Sequence, residues 1–115
     1  TLWESFHPGA SLCHGFSATG TAQLSRRALG VTPIAPGYRT FAVAPDVAGL
    51  TFASGVIPTA HGPIAVAWQR ADGRVVVDVS HPETCTPHFL VPTGFTLTEK
   101  VDRPGKFRAI LSAVI

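Results

Sequence analysis

Charge is scarce in this 115-residue sequence: 14% of the residues are charged, and 9 Lys plus Arg against 7 Asp plus Glu leave a net charge of +2. With so few charges and no block of one sign, an acidic or basic tail, a disordered chain and a strongly electrostatic nucleic-acid binder are all excluded. No nucleic-acid partner is expected. Although 45% of the residues are hydrophobic, no apolar run approaches the ~20 residues that cross a bilayer as a helix. No membrane partner is expected either. Thr1 is followed by no charged and apolar leader, so no signal peptide is visible, no compartment can be assigned, and the chain reads as processed or as a fragment. Cysteine is limited to Cys13 and Cys85. A chain of this length buries roughly 65% of its unfolded surface without staples, which favours two buried thiols over a Cys13–Cys85 disulfide.

Eleven Gly and 10 Pro are dispersed among apolar alternations, which suits short strands and turns better than a helical bundle. One stretch is different. Between Ser11 and Leu29 the residues Leu12, Phe16, Leu24 and Ala28 recur at multiples of four, with Leu29 beside them, the stripe of an amphipathic α-helix. Ser11 can cap its start, Arg26 and Arg27 complement the negative end of the dipole, and Gly30 can take a left-handed stop. Gly20 and four Ser or Thr residues weaken this helix, so it needs a surface to pack on.

After Pro33 the period becomes two. Strands are expected at about 38–44, 50–57, 63–70, 74–80, 84–91, 95–101 and 107–115, separated by Pro36-Gly37, Pro45-Asp46, His61-Gly62, Asp72-Gly73, Pro92-Thr93-Gly94 and Pro104-Gly105. Asp72-Gly73, set between Ile64-Val66-Trp68 and Val75-Val77-Val79, is the clearest hairpin. The expected fold is mainly β: an antiparallel β-sandwich of about seven strands preceded by one α-helix. Residues 1–31 carry an apolar face they cannot bury alone, whereas residues 32–115 can close their own core. The front reads as the end of a larger domain.

Three groups of residues could carry chemistry. Glu4, between Trp3 and Phe6, would be partly desolvated, which raises a carboxyl pKa and suits proton transfer, while Trp3 offers a face for a sugar ring. The plainer alternative is a surface glutamate beside core aromatics. His14, in the expected first helical turn, would stay neutral at the positive end of the dipole and could hydrogen-bond a ligand hydroxyl; on the residue alone, a capping or packing histidine is the favoured reading. His81, Cys85 and His88 in HPETCTPH are soft ligands close together, but Pro82 and Pro87 make the stretch extended. Offsets of four and three then point the three side chains in different directions. No metal is expected. No nucleophile elbow and no Gly-rich loop with a phosphate-binding Lys occurs, so no cofactor is expected. A carboxylate pair would need a second acid near Glu4, and the front segment has none.

TLWESF, SLCHGFSA, LSRRALGVTPIAPGYRTFAVAP and ASGVIPTAHGPIAVAW, in that order, resemble the C-terminal end of bacterial alpha-L-rhamnosidases, the inverting glycoside hydrolases of family seventy-eight. The resemblance is continuous over about residues 1–80 and fades after Cys85. It implies that residues 1–31 are the terminal loop and helix of an (α/α)6-barrel catalytic domain and residues 32–115 a C-terminal β-sandwich packed on that barrel. It further implies Glu4 as general base, Trp3 as a wall of the sugar pocket and His14 as a sugar ligand, acting on rhamnose-containing glycosides. The general acid would lie on an earlier barrel loop, absent from this chain. His7 stands where relatives often carry an acidic or polar residue.

Two other functions compete. A carbohydrate-binding sandwich would stack sugars on exposed aromatics; Trp68 shares the alternation of Ile64 and Val66 and is expected in the core, which leaves Tyr38 as the exposed candidate. A purely structural module would bind no ligand. Without the barrel, the stripe of Leu12, Phe16, Leu24 and Leu29 would be exposed and would favour a homodimer.

Overall fold

The computed structural model describes residues 23–47 and 49–114. The described part opens with a turn of helix at Leu24–Leu29, followed by β1 (Val31–Pro33), β2 (Thr40–Val43), β3 (Phe52–Ile57), β4 (Ile64–Ala71), β5 (Arg74–Ser80), β6 (Thr86–Phe89), β7 (Phe95–Arg103) and β8 (Lys106–Ala113). These strands form a three-stranded sheet, β1-β2-β6, and a five-stranded sheet, β3-β4-β5-β8-β7. The two enclose one apolar core, so the chain is mainly β and a sandwich, as its alternation predicts.

The alternation works because each strand of the large sheet gives one face to the core. Val66 and Trp68 of β4, Val75, Val77 and Val79 of β5, and Phe107, Ala109 and Leu111 of β8 are buried, against Val31, Phe41 and Val43 of the small sheet. Phe89 and Phe107 meet edge to face across the gap, with ring centroids 6.0 Å apart, the arrangement that aromatic quadrupoles favour. Asp72 and Gly73 both take positive φ, 53° and 72°, the pair of left-handed residues a type I′ hairpin demands. Ala71 and Arg74 close the β4–β5 ladder around them.

Where the core reaches a sheet edge, charged side chains cover it. The Arg70 guanidinium lies 5.9 Å from the Phe95 ring centroid and also donates to the Val47 carbonyl at 2.6 Å. The Lys100 ammonium lies 5.5 Å from the Phe107 centroid and 3.2 Å from the Asp102 carboxylate, so each cation stands over an aromatic face. The edge strand β7 also carries a bulge between Leu97 and Glu99, and Thr98 Oγ1 donates to the Ile110 carbonyl at 2.9 Å. A bulged and charged edge resists pairing with another chain.

The structure corrects the sequence reading in four places. A short strand, β1, pairs antiparallel with β2, although three residues ending in proline are too few to show a period; Pro33 is tolerated because β1 lies at a sheet edge. The pairing of β2 with β6 is parallel, so the small sheet is not antiparallel throughout. The chain crosses from β5 of the large sheet to β6 of the small one, and strands brought together by such a crossover need not alternate in direction. Third, the described end of the expected α-helix is π-helical, with the Gly30 N–H donating to the Ser25 carbonyl, five residues back. The rest of that helix, including Leu12 and Phe16, lies outside the described residues. Gly30 does take the left-handed stop, at φ 79°. Finally, Leu29 belongs to the sandwich core and not to an exposed stripe, while Leu24 is 66% exposed.

Candidate functional site

Trp3, Glu4, His14 and Cys13 lie outside the described residues, so the geometry available is that of the seat on which their segment arrives. Leu24–Leu29 packs against β1, β3 and β4. Leu29 enters the core over Gly55, where a Cβ would stand 2.9 Å from Leu29 Cδ1. Buried Trp68 donates its indole N–H to the Ala28 carbonyl at 2.8 Å, which satisfies an acceptor at the end of a helical turn. Gly30 then lies so close to Ala44 that a side chain there would collide with the Ala44 carbonyl, and the Ala44 N–H donates to the Gly30 carbonyl at 2.8 Å. The front segment is thereby tied to the sandwich by an apolar plug, a side-chain hydrogen bond and a glycine contact.

HPETCTPH is not brought together as a ligand set. Cys85 is buried as a free thiol. His81 is half-buried, its Nδ1 hydrogen-bonded with the Pro82 carbonyl at 2.8 Å and its ring edge-on to Phe41 at 5.8 Å. His88 is exposed on β6, on the face shared with Ala42. Among the described residues no group of three His, Cys, Asp or Glu side chains could hold a metal ion.

Of the two aromatics weighed in the sequence, Trp68 is in the core at 2% exposure, as its alternation predicts. Tyr38 is half-buried against the core and takes φ 64° in the turn after Gly37, so it is not an open platform. The aromatic that sequence reasoning missed is Phe52, 69% exposed.

Phe52 belongs to the outer face of the five-stranded sheet. Register places Phe52 beside Gln69, and Ser54 beside Ala67, Asp78 and Arg108, on that face. The Arg108 guanidinium grips the Asp78 carboxylate at 2.7 Å from Nε and 3.3 Å from Nη2. The hydrogen bond first and the charge attraction second hold the Arg108 pKa above the ordinary arginine value.

The family model described as bacterial alpha-L-rhamnosidase C-terminal domain matches residues 30–106. This chain belongs to that family. The matched span extends beyond Cys85, where the short sequence motifs fade, and covers β1 to the start of β8. An alpha-L-rhamnosidase of Alteromonas sp. (strain LOR) is 30% identical over 110 residues, covering 84% of this chain and 12% of that protein. One of Formosa agariphila is 31% identical over 115 residues, covering 89% and 12%. The chain thus spans about 12% of the length of the curated relatives it matches. Among solved structures, the alpha-L-rhamnosidase from Dictyoglumus thermophilum superposes with a TM-score of 0.77 at 18% identity, over 97% of this chain and 16% of that one. That of Streptomyces avermitilis, complexed with L-rhamnose, gives 0.68 at 21% identity, over 98% and 13%. These two likenesses establish the fold. The rhamnosidase C-terminal domain is the part of its relatives that this chain represents.

Proposed function

We propose that this rhamnosidase C-terminal domain serves a parent glycoside hydrolase that cleaves terminal alpha-L-rhamnosyl linkages with inversion, and that the segment ahead of Leu29 brings the end of its (α/α)6 barrel up to the sandwich. The observation that carries this reading is the tie at Ala28, Leu29 and Gly30, because a segment fixed at that end transmits the position of the sandwich to the residues preceding it. The sandwich buttresses the barrel.

In this reading Glu4 is the general base and the acid is supplied by the barrel, ~6.5 to 9.5 Å across a space that holds one water. The Glu4 carboxylate takes a proton from that water as its oxygen bonds to the anomeric carbon. The glycosidic C–O bond breaks on the opposite side, and the leaving oxygen takes the proton of the acid. Trp3 walls the sugar and His14 hydrogen-bonds a ring hydroxyl. Such proton transfer contributes ~10²- to 10⁴-fold to rate.

The test uses the full-length parent. Glu4→Gln lowers kcat by about that factor while circular dichroism and thermal unfolding stay unchanged; unchanged turnover removes the assignment. The same reading makes the isolated chain inactive. Severed from the barrel, exposed Leu24 lies open to a second copy, and sedimentation velocity of the isolated chain is expected to show a dimer.

A further inference from the structure

The outer face of the five-stranded sheet is hollowed by its own side chains. Ser54, Ala65, Ala67 and Ser80 are small and adjacent in the register, so the backbone lies bare between Phe52 and Gln69 on one side and Lys106 and Arg108 on the other. Two depressions, of about 460 and 380 Å³, are lined by these small residues, a third of about 660 Å³ lies on the Lys106 and Arg108 side, and Asp78 borders all three. The first, bordered by Phe52, Ser54, Gln69 and Asp78, falls within the ~300 to 1,000 Å³ range of small-ligand sites.

We propose that this first depression binds one neutral pyranose unit of a glycan. Phe52 is the only exposed phenylalanine among the described residues, and it presents a ring against which the C–H face of a pyranose stacks. Gln69 offers both donor and acceptor, Ser54 a hydroxyl, and Asp78 the carboxylate lone pairs that Arg108 leaves free. The Asp78 side chain keeps 39% of its surface exposed, so its oxygens are accessible to hydroxyl donors. Because Asp78 already occupies the Arg108 guanidinium, that cation is not free to pair with a uronate carboxylate, and the pocket favours a neutral sugar.

The inference does not depend on the role given to Glu4 and is read by binding alone. The 115-residue chain is titrated by ¹H–¹⁵N NMR with methyl alpha-L-rhamnopyranoside, methyl beta-D-galactopyranoside and D-galacturonate. The expected result is saturable, millimolar binding of the neutral sugars, with shifts centred on Phe52, Ser54, Ala67, Gln69 and Asp78. Phe52→Ala weakens it at least about 10-fold, the loss expected when stacking worth roughly 1.4 kcal/mol is removed. Ala67→Leu, which fills the floor without deleting any contact, abolishes it and keeps the inference testable if the first variant is poorly folded. No saturable shifts, shifts mapping elsewhere, binding unchanged in both variants, or tighter binding of D-galacturonate would each overturn it.

Discussion

The indole N–H of Trp68 donates to the carbonyl of Ala28 across 40 residues of sequence, at 2.8 Å. It joins β4 of the large sheet to the segment that enters the sandwich. Trp68→Phe leaves that carbonyl without this donor in a part-buried setting. The expected loss is about 1 to 3 kcal/mol, read as a lower urea midpoint at unchanged slope. In the parent the same variant is expected to lower kcat/KM without changing the pH profile, because it loosens the seat of the segment and removes no reacting group.

Gly30 is the second joint. Alanine in the left-handed region costs ~1 to 2 kcal/mol, and at φ 79° its Cβ would also meet the Ala44 carbonyl. Gly30→Ala is therefore expected to destabilise by more than the backbone term alone. Gly94, at φ 89° with nothing within 4 Å of an added Cβ, is the control: Gly94→Ala should cost only the backbone term. Equal urea midpoints for the two variants would show that the contact with Ala44 carries no weight.

Leu29 and Gly55 form the third. Leu29→Ala opens a cavity above Gly55 and is expected to cost ~2 to 5 kcal/mol, measured by thermal unfolding. A cost near zero would mean that this end of the chain does not belong to the core.

That pair also explains why part of the fold could not be read from the sequence. In β3 the bulky residues Phe52 and Val56 face outward and Ala53 and Gly55 face inward, the reverse of what residue size suggests. The volume above Gly55 is filled by Leu29 from another element, a fact that no window along β3 contains. Alternation was reliable where a strand supplies its own core residues, as in Val75-Val77-Val79, and Asp72-Gly73 named its turn by chemistry. The parallel pairing of β2 with β6 depends on a crossover between sheets and leaves no local signature. Phe52 escaped notice for the same reason as the inverted face: its exposure follows from the placement of Leu29. The roles proposed for Trp3, Glu4 and His14 came from the order of motifs, since residue type alone favoured a surface glutamate and a capping or packing histidine.

The most direct test of the account is the pH dependence of kcat/KM for the full-length parent and its Glu4→Gln variant on an aryl alpha-L-rhamnoside. A general base must be ionised to act, so activity falls as pH drops through its pKa, and that acidic limb belongs to the base. The account predicts that Glu4→Gln retains a small residual rate whose acidic limb is gone while the alkaline limb, set by the barrel's acid, survives. An acidic limb left intact in the variant would contradict it.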